Sequence, residues 1–175
     1  MELRKFSTLI NLVTFELCWF GCVLGAAKGL GWLGPLFVLI TVPLQVHFLT
    51  VNHKAEYLFV LLCGAGGFIV ETLMILGGVY IPVGGGKMSP LWMTALWFNF
   101  GPLVSLSLSW LKGKYWLAAI LGGLAGPLAY WGGDKLGALT LAGDFNRGYL
   151  PLGIMWIVAL PLLVFIRNKI ISFKL

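Results

Sequence analysis

The sequence predicts an all-α polytopic membrane protein, a bundle of six transmembrane helices forming one integral-membrane domain over residues 1–175. Three observations predict it. First, 59% of the residues are hydrophobic and 10% are charged, at a mean hydropathy of +0.95, whereas a soluble domain is about 25% charged. A 19.1 kDa chain with so few polar groups has no way to cover that much hydrocarbon in water. Second, six apolar runs reach the length of about 20 residues that crosses a bilayer. Third, nine of the thirteen Trp and Tyr residues fall near the ends of those runs, as an interfacial aromatic belt requires.

The runs are 7–27, 31–51, 57–81, 91–111, 115–133 and 148–167. The first imitates a secretory signal, with Arg4 and Lys5 ahead of it and Gly25-Ala26-Ala27 at its end. Glu16 interrupts what would be the uncharged stretch, so the segment reads as a retained first helix. The second carries Pro43, Gln45 and His47, and the third is glycine-rich around Glu71. The fourth follows a break, Pro82 to Pro90, that contains Gly84-Gly85-Gly86, and it holds Asn99 and Pro102. The fifth carries Tyr130 near its end, with Asp134 just beyond it, and the sixth contains Pro161. The other breaks, Lys28–Leu30, Asn52–Glu56, Lys112–Lys114 and Asp134–Arg147, are short, which makes neighbouring helices antiparallel and leaves no room for an extramembrane domain.

With the N-terminus in the cytoplasm, eight cations fall inside (Arg4, Lys5, Lys54, Lys112, Lys114, Arg167, Lys169 and Lys174) against four outside (Lys28, Lys87, Lys135 and Arg147). Both termini are therefore expected to be cytoplasmic. These flanking residues account for the net charge of +6. Nucleic-acid binding needs a clustered basic face on a soluble surface, and none is predicted.

One internal period emerges. Pro43, Pro102 and Pro161 are spaced by 59 residues, each followed by leucine, and Gly25, Gly84 and Gly143 share the offset. Gly64 with Gly123, Gly67 with Gly126, and Gly78 with Gly137 do so between the second and third units. The period suggests three parallel helical hairpins, each returning through a proline-kinked helix. The competing reading is coincidence among 24 glycines.

Helix rise turns sequence position into depth. Asn11, Glu16 and His47 fall in the cytoplasmic half, and Glu71, Asn99 and Tyr130 in the outer half, with Asp134 at its rim. A carboxylate near the bilayer centre costs at least about 2.5 kcal/mol, so Glu16 and Glu71 are expected to face the interior, protonated or partnered. Glu71 shares a stripe with Gly64, Gly67 and Gly78, where a neighbouring backbone comes close, and Asn99 lies at matching depth. Glu71 is either a proton or ligand site or a neutral acid joining two helices. His47 is either an interfacial histidine or a proton relay to Glu16. Glu71, Asn99, Glu16, Asn11, His47, Tyr130 and Asp134 are the candidate site residues.

No catalytic residue, metal ligand set or cofactor is expected. Cys18, Cys22 and Cys63 lie in apolar runs and read as structural thiols. Only His47 and His53 are available, and no metalloprotease pair or phosphate-cradling loop occurs.

The stretch Pro90-Leu91-Trp92-Met93-Thr94-Ala95-Leu96-Trp97, the run Ser107-Leu108-Ser109-Trp110-Leu111 and the segment Gly126-Pro127-Leu128-Ala129-Tyr130-Trp131-Gly132-Gly133 resemble a family of small bacterial inner-membrane proteins known only as a domain of unknown function. The resemblance implies a bacterial inner membrane and points weakly toward lipid. The leading expectation is a protein that binds or transports a small or lipidic ligand through a polar intramembrane cavity. A second reading is an accessory or scaffold subunit with a membrane-protein partner. A third is an intramembrane lipid-modifying enzyme using Ser105, His47 and Glu16.

Overall fold

The computed structural model describes residues 6–172, with side chains to Ile170. Arg4, Lys5 and Lys174, three of the cations counted above, lie outside the described residues. The fold is all-α in its main elements, with six helices: α1 (Ser7–Ala27), α2 (Leu33–Leu49), α3 (His53–Leu76), α4 (Leu91–Ser105), α5 (Tyr115–Lys135) and α6 (Tyr149–Ser172). Three of them, Ser7–Ala27, His53–Leu76 and Tyr149–Ile170, are long and apolar enough to cross a membrane. Large apolar side chains such as Leu39, Leu61, Leu124 and Val158 are exposed on the outside of the bundle.

Consecutive helices pack as three hairpins, α1–α2, α3–α4 and α5–α6. α4 lies at the centre, touching α1, α2, α3 and α6, while α1 and α5 both contribute walls to one cavity. The hairpin turns share one device. The first helix of each ends on a glycine with left-handed φ: Gly29 at 75°, Gly78 at 70° and Gly137 at 81°. The next residue then donates back to the carbonyl five positions earlier, Leu30 to Gly25 (2.7 Å), Val79 to Met74 (3.0 Å) and Ala138 to Gly133 (2.9 Å). This bond satisfies a carbonyl that the helix end would leave open, and only glycine adopts the required φ without strain.

Two expected helix ends are corrected. The third run does not stay helical to 81. Gly77 and Gly78 end α3, and Tyr80–Pro82 form a strand, β1, paired antiparallel with β2 (Leu139–Leu141). The fourth run does not reach 111 as one helix. Past Pro102, which has no N–H to give the preceding turn, α4 stops at Ser105 and a separate 3-10 turn covers Ser109–Leu111.

The strand register pairs Tyr80 with Leu141, Ile81 with Thr140 and Pro82 with Leu139. Val83 N–H donates to Ala138 O and Ala142 N–H to Val79 O, both at 2.9 Å. These two bonds interchange under a shift of 59 residues, and Ile81 pairs with its own counterpart, Thr140. At the same offset Gly25, Gly84 and Gly143 do not correspond, because Gly25 is helical while Gly84 and Gly143 lie in loops.

Candidate functional site

The site is assembled around Glu71, on the face of α3 that carries Gly64 and Gly67. A Cβ at Gly67 would overlap the Trp97 ring, so glycine is what lets the indole pack closely against α3. From that seat Trp97 Nε1 donates to Glu71 Oε1 at 2.7 Å. An indole N–H can only donate, so this oxygen accepts. Tyr130 on α5 donates its hydroxyl to the same oxygen. The left-handed turn at Gly78 folds the chain back, and Tyr80 on β1 donates to Glu71 Oε2, its hydroxyl also lying 3.2 Å from Met93 Sδ. Three donors from three elements thus hold one fully buried carboxyl group.

Beside this knot lies a cavity of about 580 Å³, with walls from α1, α3, α4, α5 and α6. Its surface is apolar and aromatic rather than the polar interior expected from the sequence. Trp97 stacks on Trp156 with centroids 5.0 Å apart and planes 7° from parallel, and Phe100 meets Trp156 edge-on at 5.2 Å. Trp19 reaches across from α1 toward Gly132 on α5, 3.4 Å from where a Cβ would stand, and so narrows the gap between those helices. Glu16, one turn before Trp19, also lines the cavity. It is exposed rather than buried, and no hydrogen bond or ion pair reaches it among the described residues.

Of the residues singled out in the sequence, Glu71, Tyr130 and Glu16 meet at this cavity. Asn99 does not join Glu71. Its Nδ2 donates to Phe15 O at 3.2 Å, tying α4 to α1. Asn11 lies apart, donating to Gln45 Oε1 at 2.7 Å and accepting from the Ser107 hydroxyl, a knot between α1, α2 and the turn after α4. His47 is exposed on α2 with its ring 5.3 Å from that of His53, and no hydrogen bond links it to Glu16 among the described residues. Asp134 Oδ1 accepts from Leu141 N–H at 3.1 Å and anchors β2. Ser105 is buried at the end of α4, where its carbonyl accepts from Arg167, and no hydrogen bond links it to His47 or Glu16 among the described residues.

Tyr80 and Trp97 were not foreseen. Tyr80 falls at the end of the third apolar run, 57–81, where an aromatic residue is expected in the interfacial belt, and the signal that points to Trp97 is its partner Trp156 at the 59-residue offset that also relates Gly67 to Gly126. A second buried contact was also missed: Arg167 Nη2 lies 3.9 Å from Glu56 Oε1 and donates to Ser105 O at 3.2 Å, joining α6, α3 and α4.

No curated protein and no solved structure matches the chain. The family model described as protein of unknown function (DUF2878) matches residues 8–162. That match takes in all of α2 to α5 and most of α1 and α6, including every residue of the Glu71 knot, and the chain belongs to this family.

Proposed function

We propose that the protein is a multi-pass protein of the bacterial inner membrane that binds or moves a small apolar or lipidic ligand through the cavity beside Glu71. All six helices cross the bilayer in this reading, with both termini cytoplasmic. Support comes from length. At about 1.5 Å per residue, α2 with 17 residues and α5 with 21 come close to or exceed the roughly 30 Å of hydrocarbon. The shorter α4 is shielded by four neighbours, and most of its side chains are buried against them.

The three-hairpin repeat belongs to the same reading. Its support is the set of pairs at an offset of 59: the prolines of α2, α4 and α6, the glycines Gly78 and Gly137, strands β1 and β2, and Trp97 with Trp156. The second and third hairpins then face each other about a pseudo-two-fold axis.

The observation that carries the functional reading is the cavity itself. At about 580 Å³ it falls in the range of small-molecule sites, about 300 to 1,000 Å³, with a few polar groups set in an apolar wall. Native mass spectrometry of protein purified in mild detergent tests it. Retention of one class of small molecule or lipid is the expected result. Protein that carries nothing, together with tryptophan fluorescence unmoved by apolar probes, overturns the reading and favours the accessory-subunit alternative.

A further inference from the structure

We infer that the cavity receives an organic cation, a substituted ammonium group on an apolar body, with its charge beside Glu16 and its body against the aromatic wall. This rests on the ligand-binding reading above and names the class of ligand.

The distribution of acidic groups leads to it. The chain has six acidic residues, of which Glu2 lies outside the described residues. Glu56 faces Arg167 at 3.9 Å, Asp134 faces Lys135 at 4.0 Å and Asp144 faces Arg147 at 3.7 Å. The remaining two, Glu16 and Glu71, both line the cavity, and no Lys, Arg or His lines it with them. In a chain of net charge +6, every other described acid has a cation, and the cavity has none of its own.

The two carboxyl groups differ in what they leave open. The oxygens of Glu71 are occupied by Trp97, Tyr80 and Tyr130. Those of Glu16, an exposed side chain midway along α1 at the cavity, meet no partner among the described residues, and with α1 spanning the bilayer an uncompensated charge at that depth is unfavourable. An anionic ligand would meet two carboxyl groups and no positive charge. A neutral apolar ligand would leave a charged Glu16 without a counter-ion. A small metal ion demands several oxygen or nitrogen ligands, which this wall lacks. A bulky, weakly hydrated cation fits, because aromatic faces attract it where few hydrogen bonds are on offer. Phe15, Trp19 and Phe100 supply those rings within the same cavity, whereas Trp97 and Trp156 are engaged with each other and with Gly67 and Gly126.

The ammonium group has two sources, a free amphipathic amine or the headgroup of an aminated lipid. The volume of about 580 Å³ admits a headgroup with a short length of chain.

The test uses three single-chain probes with one decyl tail: decyltrimethylammonium, the neutral decyldimethylphosphine oxide and the anionic decylsulfonate. Binding to the full chain in maltoside detergent is read by calorimetry and tryptophan quenching. The ammonium probe is expected to bind at least tenfold more tightly than the neutral one, with the sulfonate weakest. Glu16→Gln removes the preference without changing the melting temperature, and Glu16→Asp keeps most of it. Equal binding of the cationic and neutral probes overturns the inference and leaves an apolar ligand site standing, as does a preference that survives in Glu16→Gln. Failure of all three probes to bind overturns the ligand-binding reading as well. In nanodiscs, retention of phosphatidylethanolamine over phosphatidylglycerol, lost in Glu16→Gln, supports the inference with the lipid headgroup as source. Probe binding without any lipid preference supports it with a free amine as source.

Discussion

Trp97 and Trp156 lie face to face, 5.0 Å apart and 7° from parallel, each seated on a glycine of the preceding helix, Gly67 for one and Gly126 for the other. The two seats are alike: in each, a Cβ built on the glycine would overlap the indole near its Cγ atom. The stack therefore joins the α3–α4 hairpin to the α5–α6 hairpin and forms part of the cavity wall.

Filling either seat is expected to destabilise the protein. Gly67→Ala and Gly126→Ala force the indoles off their glycines, an overpacking that costs about 1 to 3 kcal/mol. Gly66→Ala is the control, since nothing lies within 4 Å of a Cβ there. It is expected to be neutral or to stabilise by up to about 1 kcal/mol through helix propensity. Thermal melts in detergent check all three, and an equal fall for Gly66→Ala would refute the packing argument.

Glu71 separates a hydrogen-bonding role from a titrating one. In Glu71→Gln the amide oxygen still accepts from Trp97 and Tyr130, and the amide nitrogen donates to the Tyr80 hydroxyl, which accepts as well as donates. Stability within about 1 kcal/mol of the parent is expected on that ground. Glu71→Leu strands three buried donors, and at about 1 kcal/mol each the variant loses about 2 to 4 kcal/mol. Melting temperature and ligand retention measured on the same preparations distinguish the cases. Parent-like stability and retention in Glu71→Gln assigns Glu71 to holding the wall together. Loss of retention without loss of stability assigns it to the ligand or to a proton.

Arg167 and Glu56 give a third outcome. Their side chains are mostly buried and 3.9 Å apart. Arg167→Leu leaves Glu56 buried without its cation and is expected to cost about 3 to 5 kcal/mol. Replacing both with leucine removes the stranded charge, and the double variant is expected to recover more than half of that loss. A double variant as unstable as the sum of the singles would show that the pair does not interact.

The helices were legible in the sequence because about 20 consecutive apolar residues have few other uses, and Glu71 was legible because a carboxyl group on a glycine stripe must meet a neighbouring helix. Which neighbour it meets was not legible. Depth matched Asn99 to Glu71, but depth ignores direction around the helix. Successive residues turn by about 100°, so Trp97 and Asn99 point to nearly opposite sides of α4. Trp97 faces α3 and Asn99 faces α1. Tyr80 was hidden for another reason: hydropathy carries the third run through Gly77-Gly78, where a single left-handed φ turns the chain back onto its own helix. Asp134 and Asn11 were read as site candidates because polarity inside an apolar run does not distinguish a backbone anchor or an interhelical knot from a ligand group.

Orientation is the last prediction, and it needs positions where a new side chain is tolerated. The glycines of the connecting loops are poor choices, since Gly85 and Gly113 have φ of 68° and 75° and any other residue there is strained. Met88, in the connection before α4, and Val51, between α2 and α3, are both exposed and have no such requirement. The native Cys18, Cys22 and Cys63 are buried and free, so replacing them leaves no background to react. With six crossings and a cytoplasmic N-terminus, Met88→Cys in intact cells reacts with an impermeant thiol reagent. Val51→Cys reacts only after the membrane is opened. The reverse pattern would invert the orientation set by the flanking cations. Labelling of both from one side would place an even number of crossings between residues 51 and 88, where α3 alone is expected to span, and would overturn the six-crossing arrangement.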